Sequence, residues 1–186
     1  VDTMRQPTGA TVTIDGVCPA GSTPEFPPVH DMHVGLVSSS LGPRGGNLCT
    51  PGPLDLGHGQ SIPYDNDDQG RLIDRSASSL SGNTSAPLGA AEPDKFLDWF
   101  PSTASNQGSA ATGPTPITDP GLLQTDFQQM VIGVHQFGCG IESQLESWYR
   151  FLVQPDPYAD ITLDKTNTYA QWVGVDNVIL NQRAQF

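Results

Sequence analysis

Charged residues are scarce in this sequence, and basic residues are the scarcest. Charged residues make up 15% of the 186 positions, against roughly 25% in an average soluble protein. The 8 Lys and Arg stand against 20 Asp and Glu, which gives a formal net charge of −12. That charge repels phosphate backbones and anionic membranes, so we expect no nucleic-acid partner. Acidic, lysine-poor sequences rich in Gly and Ser are typical of secreted proteins, which predicts an extracellular or cell-surface location.

Long apolar runs are also missing. No stretch approaches the roughly 18 consecutive apolar residues that indicate a membrane-spanning helix, so we expect no membrane span in this segment. The length predicts one domain with a sizeable core. The start at Val1 has no initiator methionine, and the last residues, up to Phe186, continue a helical pattern. We therefore interpret residues 1–186 as a single domain or a domain segment of a larger protein.

Cysteine is limited to three positions, Cys18, Cys49 and Cys139, and no two of them form a CxxC pair. This spacing disfavours a closed thiolate zinc site. In an oxidising compartment the favoured disulfide joins Cys18 to Cys49, because both lie in loop-rich sequence where a cross-link restricts the unfolded chain. Cys139 would then pair with a cysteine outside the segment. Three reduced, partly buried thiols are the alternative.

Two short apolar runs predict strands. Residues 31–40 (DMHVGLVSSS) are apolar at the centre and polar at the end, as in a buried strand whose carboxyl end faces a ligand. Residues 95–100 (KFLDWF) form the second run. The latter run lies within a region of little periodicity, at about residues 42–120, rich in Gly, Pro, Ser, Asn and Asp. We expect this region to be a long, loop-rich insertion.

Three helices are predicted in the last third of the chain. The first begins after Asp119 as N-cap, the second runs up to Leu152 before Pro155, and the third begins after Asp176. Residues 138–140 are expected to turn the chain between the first two helices. The 3.6-residue spacing predicts one common core, made by Leu123, Phe127, Val131, Ile141, Leu145 and Trp148 packed against Val34 and Leu36.

An acidic turn provides the candidate metal site. Asp65 and Asp67 place carboxylates at alternate positions ahead of Gly70, which suits the flexible oxygen shell of calcium. An EF-hand is excluded because Ser76 occupies the position where that loop needs a bidentate glutamate, and because no helices flank it. We therefore predict calcium as a cofactor, bound by Asp65 and Asp67. The alternative is a solvated acidic turn.

The other chemical motifs are weaker. Asp74, Ser76 and Ser78 spell DxSxS, but the sequence around them predicts neither the buried strand nor the helix that would make their oxygens converge on a cation. His30 and His33 lie three apart, which places them on opposite faces of a strand, so they are interpreted as strand-entry or surface histidines. No GxSxG motif surrounds the serines at 38–40. We assign no catalytic residue.

Three segments together resemble a von Willebrand factor A-like domain. They are residues 31–42 (DMHVGLVSSSLG), 127–151 around GCGIESQLESWYRF, and 175–186 (VDNVILNQRAQF). The similarity is to the cysteine-containing type found in secreted and surface proteins of myxobacteria and related bacteria. The resemblance implies a three-layer α/β fold, with a mostly parallel sheet and helices on both faces.

The same resemblance bears on metal binding. In that family a metal lies over the carboxyl edge of the sheet, held by a DxSxS loop, a threonine and an aspartate. The resemblance implies that two of these loops lie before Val1 and beyond Phe186. Cys139 stands at the position of the threonine, and a thiol is a poor ligand for Mg²⁺. A disulfide from Cys139 to the missing segment is therefore the expectation.

These observations lead to an expected function. We expect a non-enzymatic binding or adhesion module of a secreted or cell-surface bacterial protein, whose partner is another protein or a copy of itself. The alternative is a structural subunit of an extracellular assembly. A secreted hydrolase ranks third, because no nucleophile, base and orienting acid can be assembled from the motifs.

Overall fold

The computed structural model describes residues 29–42, 54–57, 60–62, 68–77, 86–101, 114–134, 142–166 and 168–186. Within these residues there are six short strands and three α-helices. The strands are β1 (Met32–Val34), β2 (Leu54–Gly57), β3 (Gln60–Ile62), β4 (Leu97–Trp99), β5 (Asp160–Asp164) and β6 (Tyr169–Val173). The helices are α1 (Pro120–Val134), α2 (Gln144–Leu152) and α3 (Asn177–Gln185).

The strands form three separate two-stranded sheets, β1 with β4, β2 with β3, and β5 with β6, and every pair is antiparallel. The predicted three-layer α/β fold with a mostly parallel sheet is therefore wrong. Parallel neighbours need a crossover, usually a helix, between consecutive strands of one sheet. Among the described residues, α1 and α2 are the next helices or strands after β4, and the next strand, β5, belongs to a different sheet.

The central strand pair lies between two hydrophobic clusters. On one side Leu97 and Trp99 of β4 pack with four other buried side chains, Ala91, Ile117, Leu123 and Met130. On the other side Phe96 packs with Leu72, Phe151 and Ile179. β4 pairs with β1 and all three of its residues are buried, so the strand predicted at residues 95–100 is confirmed over residues 97–99. The region 42–120 thus contributes several of the core residues.

The helix boundaries agree with the sequence signals. The side chain of Asp119 accepts from the amide of Leu122 at 2.8 Å at the start of α1. The side chain of Asp176 accepts from the amides of Val178 and Ile179 at 3.1 and 3.3 Å at the start of α3. An N-cap residue supplies a side-chain oxygen that accepts hydrogen bonds from the first free backbone amides of the helix. Both predicted caps are confirmed.

The predicted core face of the first two helices is wrong in part. Leu123 is buried as predicted, and Val34 and Leu36 pack against its cluster. Phe127, Val131, Leu145 and Trp148 are exposed. Ile141 and the predicted turn at residues 138–140 lie outside the described residues. In α1 the buried positions besides Leu123 are Asp126, Met130 and Gly133, which is a stripe rotated by about one residue from the predicted one.

The carboxyl end of α1 packs on the segment 68–77. Arg75 donates from its Nε to the carbonyl of Gly133 at 3.1 Å. The same guanidinium forms two bonds with Asp68, at 2.5 and 3.0 Å. Bidentate pairing of this kind fixes both the distance and the angle between the groups. The segment therefore holds the end of α1 in one position against the body of the protein.

Asp126 provides a test of this packing through pH. Burial raises the pKa of Asp126 above its usual value of 3.8, so the ionised carboxylate destabilises the folded state. The stability that the protonated form contributes is complete below the unfolded pKa and is lost as the pH rises through the folded pKa. We expect Asp126→Asn to raise the melting temperature at neutral pH and to leave it nearly unchanged well below pH 3.8.

The measurement is thermal denaturation followed by circular dichroism at both pH values. Asp156→Asn, at an exposed position, is the matched control and should leave the melting temperature unchanged at either pH. An Asp126→Asn protein that is less stable than the parent at neutral pH would show that the carboxylate contributes favourably there, contrary to this account.

Candidate functional site

The pairing of β1 with β4 places a histidine opposite an aspartate. His33 and Asp98 are direct partners in this antiparallel register, and side chains of directly opposed residues lie on the same face. Asp31 precedes β1 and lies two residues before His33, which puts it on that face as well. Nε2 of His33 is 3.8 Å from Oδ1 of Asp98. One ligand atom from each of Asp31, His33 and Asp98 lies within 4.8 Å of the others.

The other nitrogen of His33 is already bonded. Nδ1 lies 2.7 Å from the main-chain oxygen of Phe186. This oxygen can only accept, so Nδ1 carries the proton and donates it. In the neutral ring Nε2 then presents its lone pair toward the carboxylates. The rings of Phe96 and Phe186 contact the imidazole, with centroid distances of 4.4 and 6.0 Å, and fix its plane.

Asp98 is the most unusual member of the group. Its side chain is 1% exposed, and neither carboxylate oxygen has a hydrogen-bond partner. Burial raises the pKa of Asp98; His33 opposes the rise and the charge of Asp31 adds to it. A buried ionised carboxylate without compensation is expensive to maintain. Such a group is expected to bind either a proton or a cation.

Most of the predicted site residues lie outside the described residues. This applies to both calcium ligands, Asp65 and Asp67, and to all three cysteines, Cys18, Cys49 and Cys139. The calcium site, the Cys18–Cys49 disulfide and the external partner of Cys139 therefore stay predictions.

The DxSxS segment is occupied by other interactions. Oδ2 of Asp74 accepts from Nζ of Lys95 at 2.8 Å, and the hydroxyl of Ser76 donates to the carbonyl of Ala86 at 3.1 Å. Burial opposes ionisation of Asp74, but hydrogen bonds with Glu92 and Lys95 outweigh it and lower the pKa. These contacts engage one carboxylate oxygen of Asp74 and the hydroxyl of Ser76. Ser78 lies outside the described residues.

The sequence contained part of the signal for the cluster of Asp31, His33 and Asp98. Asp31 and His33 lie two apart, which on a strand places them on one face. Asp98 could not be added from sequence, because its position opposite His33 depends on the pairing of two distant strands. His30 does not belong to the cluster.

The distribution of side chains on α2 is the reverse of the usual one: charged and polar residues are buried, and most large hydrophobic residues are exposed. Its buried residues are Ser147, Arg150 and Phe151. Leu145 is 85% and Trp148 67% exposed. The exposed large hydrophobic side chains on this helix are Leu145, Trp148, Tyr149 and Leu152, with Val153 just after it.

Arg150 explains the orientation of α2. Its side chain is completely buried and donates to Oδ2 of Asp176 at 3.0 Å and to the carbonyls of Gln69 and Tyr158, both at 2.7 Å. The guanidinium also lies over the Tyr158 ring, 4.3 Å from its centroid. A buried charge must be paired and hydrogen-bonded. These partners all lie on one side, so the helix turns Arg150 inward and its apolar stripe outward.

Comparisons of the chain with protein-family models, with curated proteins and with solved structures find no match in any of the three. They do not identify the chain as a von Willebrand factor A-like domain, whose fold the antiparallel sheets already contradict.

Proposed function

We propose that this chain is a non-enzymatic protein-binding module, and that α2 is the element that enters an apolar groove on a partner protein. The observation that carries the proposal is the inverted polarity of α2, which buries an arginine and exposes leucine and tryptophan. Single exposed hydrophobic residues are normal, but a continuous apolar patch usually marks an interaction site.

The spacing of the exposed side chains suits this mode of binding. The positions i, i+3, i+4 and i+7 are the usual anchors of a helix bound in a groove, and on α2 they are Leu145, Trp148, Tyr149 and Leu152. Tryptophan and tyrosine are also the side chains most enriched among residues that dominate binding energy. Among the described residues, these side chains remain exposed.

Charge indicates the kind of groove. Glu142 and Glu146 lie at the start of α2 and are exposed, and the chain as a whole carries a formal charge of −12. A second copy would bring the same negative charge to the contact, whereas a groove with Lys and Arg at its rim would be attracted. We therefore propose a partner whose apolar groove has a basic rim.

An extracellular or cell-surface location is part of the proposal, and the acidic, lysine-poor composition supports it. No helix in the described part of the chain has both the length and the apolar character needed to cross a membrane.

The test begins by identifying the partner. A photo-crosslinking amino acid is placed at Trp148, and at Thr162 on the exposed hairpin as control. Both proteins are exposed to the surface and secreted fractions of the producing cells. An adduct specific to position 148 is identified by mass spectrometry and the adduct protein is purified. Its affinity is then measured by calorimetry with the parent chain and with Trp148→Ala, Glu146→Lys and Thr162→Ala.

We expect Trp148→Ala to weaken binding roughly 30-fold, the effect of losing about 2 kcal/mol at a central anchor. Glu146→Lys should weaken binding most at low salt, and Thr162→Ala should leave it unchanged. Equal affinity of parent and Trp148→Ala, or the absence of an adduct specific to position 148, would refute the proposal. Cross-linking only to a second copy, with concentration-dependent sedimentation, would favour the assembly subunit instead.

A further inference from the structure

We propose that Asp31, His33 and Asp98 bind one divalent transition-metal ion of the Zn²⁺ class. Three observations carry the proposal independently of the function proposed for α2. One is the mutual approach of the three side chains. The second is a buried carboxylate, in Asp98, whose two oxygens have no hydrogen-bond partner. The third is the hydrogen bond that leaves Nε2 of His33 directed toward the carboxylates.

The distances are close to those of a bound ion. Zinc bonds to histidine nitrogen and carboxylate oxygen are about 2.0–2.2 Å long, so two ligand atoms on one ion lie no more than about 4.4 Å apart. The three candidate atoms lie within 4.8 Å of one another, and the separation between His33 and Asp98 is 3.8 Å. Asp31 is exposed and can close the remaining difference by rotating its side chain.

The charges also match. Two ionised carboxylates and a neutral imidazole carry a total charge of −2, which one divalent ion neutralises. The ion would remove the penalty of the buried Asp98 carboxylate, whose two oxygens accept no hydrogen bond from the described part of the protein. Without an ion, the lone pair of Nε2 in the neutral imidazole would face a lone pair of the ionised Asp98 carboxylate, and the two would repel each other.

The contact with Phe186 is the kind of support that metal-binding histidines have. A histidine ligand commonly donates its other N–H to a backbone carbonyl or a carboxylate, which fixes the tautomer and the ring orientation. Here Nδ1 donates to the main-chain oxygen of Phe186, and Phe96 and Phe186 contact the ring. With Nδ1 bonded in this way, Nε2 is the nitrogen that can bind a metal ion.

The donor set selects the class of ion. Imidazole nitrogen suits zinc and other first-row transition metals, whereas calcium and magnesium are bound by oxygen atoms. This site therefore differs from the calcium site predicted at Asp65 and Asp67 in both position and ion. Three protein ligands leave a coordination position for water.

The experiment uses the full chain, freed of metal by a chelator. Calorimetric titrations with Zn²⁺, Mn²⁺ and Ca²⁺ are made on the parent and on the variants His33→Gln, Asp98→Asn and His30→Gln. His30→Gln is the matched control, because it removes a neighbouring histidine outside the cluster. Circular dichroism of each metal-free variant confirms that it is folded.

Two spectroscopic measurements separate this site from the three cysteines. Co²⁺ bound at Asp31, His33 and Asp98 should show no thiolate-to-metal charge-transfer band. In ¹⁵N NMR spectra, Zn²⁺ should shift the Nε2 resonance of His33 while Nδ1 stays protonated.

We expect one equivalent of Zn²⁺ to bind, with affinity reduced at least tenfold in His33→Gln and in Asp98→Asn and unchanged in His30→Gln. Zn²⁺ should also raise the melting temperature of the parent in proportion to the logarithm of its concentration. Unchanged affinity in both folded ligand variants, or an unshifted Nε2 resonance, would overturn the assignment. Binding of Ca²⁺ in preference to Zn²⁺, lost in Asp98→Asn, would overturn the class of ion.

Discussion

Replacement of Arg150 by alanine is expected to destabilise the protein by about 3–5 kcal/mol, the usual effect of breaking a buried ion pair. Arg150 is fully buried, and its guanidinium bonds to Asp176 and to two carbonyls. Its removal leaves those acceptors with fewer donors and opens a cavity beside Tyr158. The free energy of unfolding is measured by urea denaturation, with the slope checked for equality between parent and variant.

Arg71→Ala is the matched control for this experiment. Arg71 bonds to the same oxygen of Asp176, at 3.0 Å, but about a third of its side chain is exposed. An ion pair with one exposed partner contributes at most about 1 kcal/mol, because water competes for both groups. An equal decrease in the free energy of unfolding in the two variants would show that burial of Arg150 does not determine its contribution to stability.

Replacement of Gly133 by alanine is the second change with a large expected effect. A Cβ at this position would lie 2.1 Å from the carbonyl oxygen of Arg75 and 2.9 Å from that of Ser76. Both obstacles are backbone, which cannot rotate away as a side chain can. We expect a loss of roughly 1–3 kcal/mol from overpacking, although alanine is the better helix former by about 0.5–1 kcal/mol.

Gly89→Ala distinguishes steric effects from the general effect of removing a glycine. A Cβ at Gly89 would meet no atom within 4 Å, so the Gly89→Ala protein should be as stable as the parent or slightly more stable. Thermal and urea denaturation of both variants provide the measurement. If Gly133→Ala were as stable as the parent, α1 would have to lie farther from the segment 68–77 than the structure places it.

Sequence patterns predicted the boundaries of the helices more accurately than the faces that the helices bury. The helix caps at Asp119 and Asp176 were predictable because capping acts within three residues. In contrast, the sequence did not predict which face of α2 is buried. Its apolar stripe predicted burial of Leu145, but Arg150 finds its partners far along the chain, 81 residues away at Gln69 and 26 at Asp176. No periodicity within the helix encodes those distant contacts.

The same reason limited prediction of the sheets and the site. Both central strands lie within predicted apolar runs, but β1 covers only residues 32–34 of the predicted 31–40 and is half-buried. Their antiparallel pairing is a tertiary property that short runs do not specify. The hairpin of β5 and β6 was not predicted, although Ile161 and Leu163 alternate with polar residues as in a strand. Asp98 joined the site only through the register between β1 and β4.

The two kinds of sheet also differ in how quickly they can form. β5 and β6 are neighbours in sequence, and hairpins of that kind close in about 1–10 μs. β1 and β4 come from distant parts of the chain, residues 32–34 and 97–99, so the entropy of closing a long loop must be overcome before their contacts stabilise anything. We therefore expect β1 and β4 to pair later in folding than the hairpin of β5 and β6. Because His33 and Asp98 come from these two strands, the proposed metal site is assembled only then, and an ion bound there would act chiefly by slowing unfolding.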